Sequence, residues 1–184
     1  GAAAPGSFRI FRGAGSGILQ APATAGVTAL QLALGSRTFS KPLTVVASPS
    51  WQTLNGAAGG QSFPAGSFID MTGNVTVAAG STLTIGAGSV VRCAQGVEFD
   101  VQGSLVISGT EATPVVFGPA ANAVWGGLWV HGATARIEAR WMILTGGGAN
   151  PSWISQKGMH SHRSNQPLVT WSDSATGFLE DCAI

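Results

Sequence analysis

Short runs of β-branched and aliphatic residues recur along the chain from Asn74 to Val130, most of them separated by a glycine-containing turn. They are Val75-Thr76-Val77, Leu83-Thr84-Ile85, Val90-Val91, Val97 to Val101, Leu105-Val106-Ile107, Val115-Val116-Phe117 and Leu128-Trp129-Val130. Runs of this kind, alternating and bounded by Gly and Ser, are strand signals. As far as Ile107 they begin about seven to eight residues apart. That spacing leaves no room for helices between strands and excludes βαβ units. Three runs make a repeat of about 22 residues, a period that points to stacked coils. Stacking then puts Val75, Val97 and Leu128 in one parallel sheet, Leu83, Leu105 and Ile137 in a second, and Val90, Val115 and Ile143 in a third. Each strand buries one side, and roughly 1.5–3 kcal/mol per fully buried large aliphatic side chain makes a core from a few coils.

Gly73 to Val91 reads GNVTVAAGSTLTIGAGSVV, and three later pieces follow one pattern: Gly103 to Thr110, Pro114-Val115-Val116-Phe117, and Trp125-Gly126-Gly127-Leu128. On these residues the chain, over about 65–184, resembles secreted right-handed parallel β-helix proteins of the pectate-lyase-like kind. The resemblance implies an all-β fold, a right-handed parallel β-helix, and the repeat of about 22 residues is then one coil of that solenoid. It implies no single activity, because such proteins include polysaccharide lyases and hydrolases, adhesins and surface-anchored modules. In the lyases, outward acids bind calcium and an Arg or Lys acts as base near acidic sugars.

The expected organisation is an N-terminal β-rich segment over 1–48, a linker over 49–66 and the parallel β-helix over 67–184, with a loop insertion at 145–166. Phe8 to Phe11 alternates like a strand, and Gly17 to Gln20, Val27 to Leu34 and Leu43 to Ala47 read as further strands. Val27 to Leu34 also has the content of a short helix, but its alternation between Gly26 and Gly35 favours a strand. The segment is read as a partial sandwich or a cap over the first coil, since the open end of a stacked sheet exposes unpaired edges. Trp51 is expected to pack under the first coil. Leu168 to Trp171 and Phe178 to Ile184 resume the coils. The last strand is read as continuing past Ile184 or as covered by a partner, so self-association through an open end is expected.

Composition narrows the classes. The net charge is +1, which gives no electrostatic case for nucleic acid or an anionic membrane. Charged residues are 9% and hydrophobic residues 45%, which argues against disorder. No run reaches the 18 or so apolar residues of a transmembrane helix. The chain starts at Gly1 without a basic-plus-apolar leader; a processed export signal or trimming would both leave such a start. Cys93 and Cys182 fall about three coils apart, too far for a bridge at about 4.8 Å per coil, so two buried thiols are expected.

The chemistry-bearing candidates are few. His160 and His162 sit at i and i+2 in Met-His-Ser-His-Arg, where an extended backbone points both the same way. They are a weak divalent-metal pair, with His131 or Asp173 as a third ligand, and no cofactor is otherwise expected. With Trp153 and Arg163 the same two histidines form a candidate loop for a sugar or an anion, against a plain hydrogen-bonded loop. Glu98 and Asp100 project outward from one strand, about 6.6 Å apart by backbone rise, as candidate binding acids or as a solvated face. Arg136, Glu138 and Arg140 alternate likewise but fall in the second sheet. Asn74-Val75-Thr76 is a glycosylation sequon, read here as a turn. No ranked threonines support ice binding, and no G-x-S-x-G elbow or neighbouring Cys and His supports nucleophilic catalysis. The function expected is a non-catalytic secreted or cell-surface module with a structural, adhesive or assembly role. The alternative is a fragment that binds or degrades polysaccharide.

Overall fold

The computed structural model describes residues 10–11, 14–15, 26–34, 36–45, 49–121, 124–148 and 168–184. The chain divides into two compact units, Gly1–Ser50 and Trp51–Ile184. Every regular element among the described residues is a strand. In the first unit, β1 (Ile10–Phe11) pairs antiparallel with β2 (Ala14–Gly15). β3 (Gly26–Leu34) forms a hairpin with β4 (Arg37–Val45), Gly26 opposite Val45 and Leu34 opposite Arg37. Val27 to Leu34 is therefore a strand. Gly17 to Gln20 lies outside the described residues.

The second unit is built from parallel strands. β5 (Gln52–Ala57), β6 (Ser62–Phe63), β7 (Phe68–Val77), β8 (Thr82–Gly86), β9 (Val90–Cys93), β10 (Glu98–Val101), β11 (Ser104–Ser108) and β12 (Val115–Pro119) come first. β13 (Gly127–His131), β14 (Arg136–Arg140), β15 (Met142–Leu144), β16 (Val169–Ser172) and β17 (Thr176–Glu180) complete it. A five-stranded sheet runs β17-β14-β11-β8-β6. The other sheet runs β15-β12-β9-β7-β10-β13-β16, with β5 also on β7. β7 is the pivot of this sheet. Its first half pairs with β9, Phe68 opposite Val90, and its second half with β10, Val75 opposite Phe99. The sheet therefore has two arms, β9-β12-β15 and β10-β13-β16, so the first and third of the three expected sheets are one sheet, joined because β7 runs unbroken through both.

The expected register holds in the five-stranded sheet, where Leu83, Leu105 and Ile137 are in-register partners. It needs correction in both arms. Phe99, not Val97, stands between Val75 and Leu128, two residues further along the strand. In the other arm Val116, not Val115, lies between Val90 and Ile143. The inward residues there are Val91, Phe117 and Leu144, because Arg92 has to face water and alternation turns Val91 and Cys93 inward. The linker expected at 49–66 contains β5 and β6: Leu54, Ala58 and Phe63 are buried, and β5 pairs with β7 over Gln52 to Ala57. Trp51 packs edge-on against Phe68 at 5.4 Å.

The core is one cluster of inward side chains from every strand of this unit up to β15, including Ile69, Val75, Leu83, Phe99, Leu105, Phe117, Val130 and Ile137. Its aromatic spine is Phe99, Phe117 and Trp125, with ring centroids 6.3 and 6.4 Å apart. Backbones approach closely at Gly103, where an added Cβ would stand 2.2 Å from the Ala78 carbonyl oxygen; only glycine fits.

Candidate functional site

The three connections that carry the chain from the first arm of the larger sheet to the second differ from all the others. They lengthen in order: four residues (94–97) from β9 to β10, seven (120–126) from β12 to β13, and 24 (145–168) from β15 to β16. In β7 the same passage is made with no break in the strand. The return connections from the second arm to the five-stranded sheet stay short, at four (78–81), two (102–103), four (132–135) and three (173–175) residues. The two long connections rest on a firm base. Trp125 is fully buried, its Nε1 donates to the Thr145 carbonyl at 2.9 Å, and its backbone bridges to Gly147. Gly148 N donates back to the Trp125 carbonyl at 2.9 Å. Variable chain is thus delivered at one margin of the β10-β13-β16 arm.

The outer face of that arm carries a chain of side-chain contacts across three strands. On β10, Phe99 and Val101 are buried while Glu98 and Asp100 are partly exposed on the opposite side. On β13, Leu128 and Val130 point inward, so alternation sends Trp129 and His131 outward. His131 Nε2 lies 2.7 Å from Asp100 Oδ1, and a carboxylate oxygen accepts, so Nε2 donates. Gln102 Nε2 donates to both Asp100 oxygens at 3.4 and 3.3 Å. Trp129 stacks on His131 with ring centroids 3.3 Å apart and planes 10° from parallel. Its Nε1 donates to Ser172 Oγ at 3.1 Å, and Ser172 Oγ donates to Asp173 Oδ2 at 3.2 Å. Thr170 is the in-register partner of Trp129. It is 8% exposed, and its Oγ1 has no hydrogen-bond partner.

The other outward charges pair off locally. Arg92 Nε and one terminal nitrogen hold the two oxygens of Asp70 at 2.9 and 2.8 Å, and the guanidinium lies 3.9 Å over the Trp51 ring. Hydrogen bonding to Arg92 holds the Asp70 carboxyl below its ordinary value, against a smaller opposing effect of desolvation. Arg140 pairs with Glu180 at 2.8 Å, and Arg136 with Glu138. Arg136, Glu138 and Arg140 lie on β14 in the five-stranded sheet, away from Glu98 as expected. Asn74 is exposed and accepts from the Glu98 N–H at 3.0 Å through Oδ1. Cys93 and Cys182 are both free, but only Cys93 is buried as expected; Cys182, near the last described strand, is partly exposed. Burial pushes the Cys93 thiol far above its ordinary range, and the nearby Asp70 charge adds to the effect.

Of the residues singled out from sequence, Trp153, His160, His162 and Arg163 lie outside the described residues. Asp100 joins a network with His131 that the sequence reading had not paired; Trp129, Gln102, Thr170 and Ser172 were missed. The signal was the alternation in Leu128-Trp129-Val130-His131, which puts an indole and an imidazole on one side of a strand. Among the described residues no three His, Cys, Asp or Glu side chains gather as a metal site. No helix among them is long and apolar enough to cross a membrane. Compared with known proteins, the chain matches no family model, no curated protein and no solved structure.

Proposed function

We propose that residues 51–184 wind as a right-handed parallel β-helix and serve as a secreted or cell-surface module with a structural, adhesive or assembly role, non-catalytic as it stands. The parallel pairing of strands two or three elements apart supports the winding, and the handedness follows from the near-universal right-handedness of parallel crossovers. One observation carries the structural role. Charged outward side chains are tied to partners on the neighbouring strand, Asp70 to Arg92, Asp100 to His131 and Arg140 to Glu180, so the outer faces reinforce the ladders. Self-association has its own support in Trp171, Phe178 and Ile184, which are exposed on and beside β16 and β17. Light scattering over a concentration series tests this. Association that is lost in Phe178→Lys is the expected result, and a strict monomer at every concentration removes the assembly role. Release of unsaturated products from polysaccharide, read by ultraviolet absorbance, would overturn the non-catalytic reading.

A second reading, carbohydrate binding, is favoured by the lengthening connections. In stacked-repeat proteins, insertions gather on the binding face. Here they lead into β10, β13 and β16, whose outward side carries Asp100, Trp129 and His131.

A further inference from the structure

We infer that the outer face of β10, β13 and β16 is a binding site for neutral, hydroxyl-rich oligosaccharide, with Trp129, His131 and Asp100 at its centre. The inference deepens the carbohydrate-binding reading and rests on it.

Three independent features converge on this face. The first is its chemistry. A flat indole offers apolar surface to the C–H face of a pyranose, while carboxylate, imidazole and hydroxyl groups beside it exchange hydrogen bonds with ring hydroxyls. These groups are already oriented. Gln102 and His131 both hold Asp100, His131 stacks on Trp129, and Trp129 is pinned through Ser172 to Asp173. Side chains fixed before a ligand arrives lose little rotamer entropy when it binds. The other outward clusters among the described residues are ion pairs, two of them with an aromatic ring beside the guanidinium, and lack this run of hydrogen bonds across three strands.

The second feature is Thr170. Its hydroxyl is buried with no partner, on the outward side of the strand and beside Trp129. An unpaired buried hydroxyl costs free energy that a ligand hydroxyl or a retained water recovers. Third, the growing connections lead into the three strands that form this face.

Charge decides the class of sugar. Asp100 and Asp173 place two carboxylates on or next to this face, with His131 the one titratable base among its described residues. A uronate polymer meets repulsion here; a neutral one meets acceptors for its hydroxyls.

Titration calorimetry tests the inference with cellohexaose, xylohexaose, mannohexaose and hexagalacturonate as probes. At least one neutral oligomer is expected to bind, with hexagalacturonate at least about tenfold weaker. Trp129→Ala is expected to weaken that binding by at least about tenfold. Thr170→Val is expected to weaken it while leaving the melting temperature unchanged or raised, which a merely structural hydroxyl would not do. Should Trp129→Ala fail to fold, Asp100→Asn, which keeps the side-chain shape, carries the same expectation. Binding of hexagalacturonate alone overturns the inference and leaves the carbohydrate reading standing. Silence from all four probes overturns both. Neutral-sugar binding unaltered in folded Trp129→Ala or Asp100→Asn overturns the site.

Discussion

Replacing Leu105 with alanine, beside a matched change at Val106, tests the register on which every facing assignment depends. Leu105 is 1% exposed and lies between Leu83 and Ile137, both fully buried, in a hydrogen-bonded ladder that cannot close over a gap. The change removes three carbons, about 2.4 kcal/mol at ~0.8 kcal/mol per buried carbon. The residual cavity adds to this, giving about 3–5 kcal/mol, within the range of buried Leu-to-Ala changes elsewhere. Val106 points the other way, between Thr84 and Glu138, and is partly exposed. Val106→Ala should cost under about 1 kcal/mol. Urea unfolding followed by circular dichroism reads both, and the midpoint should move with the slope unchanged. The reasoning fails if Val106→Ala costs as much as Leu105→Ala, because a slip of one residue exchanges the two faces of the strand.

Three further outcomes are expected. Gly103→Ala should destabilise by about 1–3 kcal/mol or more, since its Cβ meets two backbone carbonyl oxygens; a neutral result in the same urea assay would contradict the close approach. Asp70→Asn should cost about 0.5–1 kcal/mol at pH 7, modest because Arg92 is 40% exposed. The Asp70 pKa is lowered on folding, so the pair stabilises above about pH 4 and its contribution disappears as pH falls through the folded value; the difference from wild type should close on acidification in paired urea melts. In native maleimide labelling read by mass spectrometry, Cys93 should resist and Cys182, partly exposed, should react first; fast native labelling at Cys93 would refute its burial.

The legibility of the sequence varied with how sharply each run alternates. Leu83-Thr84-Ile85 and Leu105-Val106-Ile107 state which side is apolar, and their pairing was readable from spacing alone. Val90-Val91 and Val115-Val116 offer two equivalent residues, so alternation could not choose between them; the charge of Arg92 makes the choice. The strands at 52–63 hid behind glycines and a proline. Their signature was present, since Ala65-Gly66-Ser67 recurs one repeat later as Ala87-Gly88-Ser89, and Phe63 pairs with Ile85. The network around Trp129 was illegible for another reason. Asp100, His131 and Ser172 sit on three strands far apart in sequence. They meet only because connections of unequal length still return each strand to its ladder.

That return has a consequence for how the molecule comes into being. Val75 waits for Phe99 while all of β8 and β9 is made, and Leu105 waits for Ile137 through β12 and β13. Leu128 waits longer for Val169, through β14, β15 and the longest connection of the chain's second unit. No strand pair among the described residues of this unit is closed by a tight hairpin, so loop-closure entropy precedes each of these rewards. On the ribosome, each new stretch can dock only after its template has been laid down. The sheet grows like masonry, course upon course, and its newest course is the one most open to wrong partners.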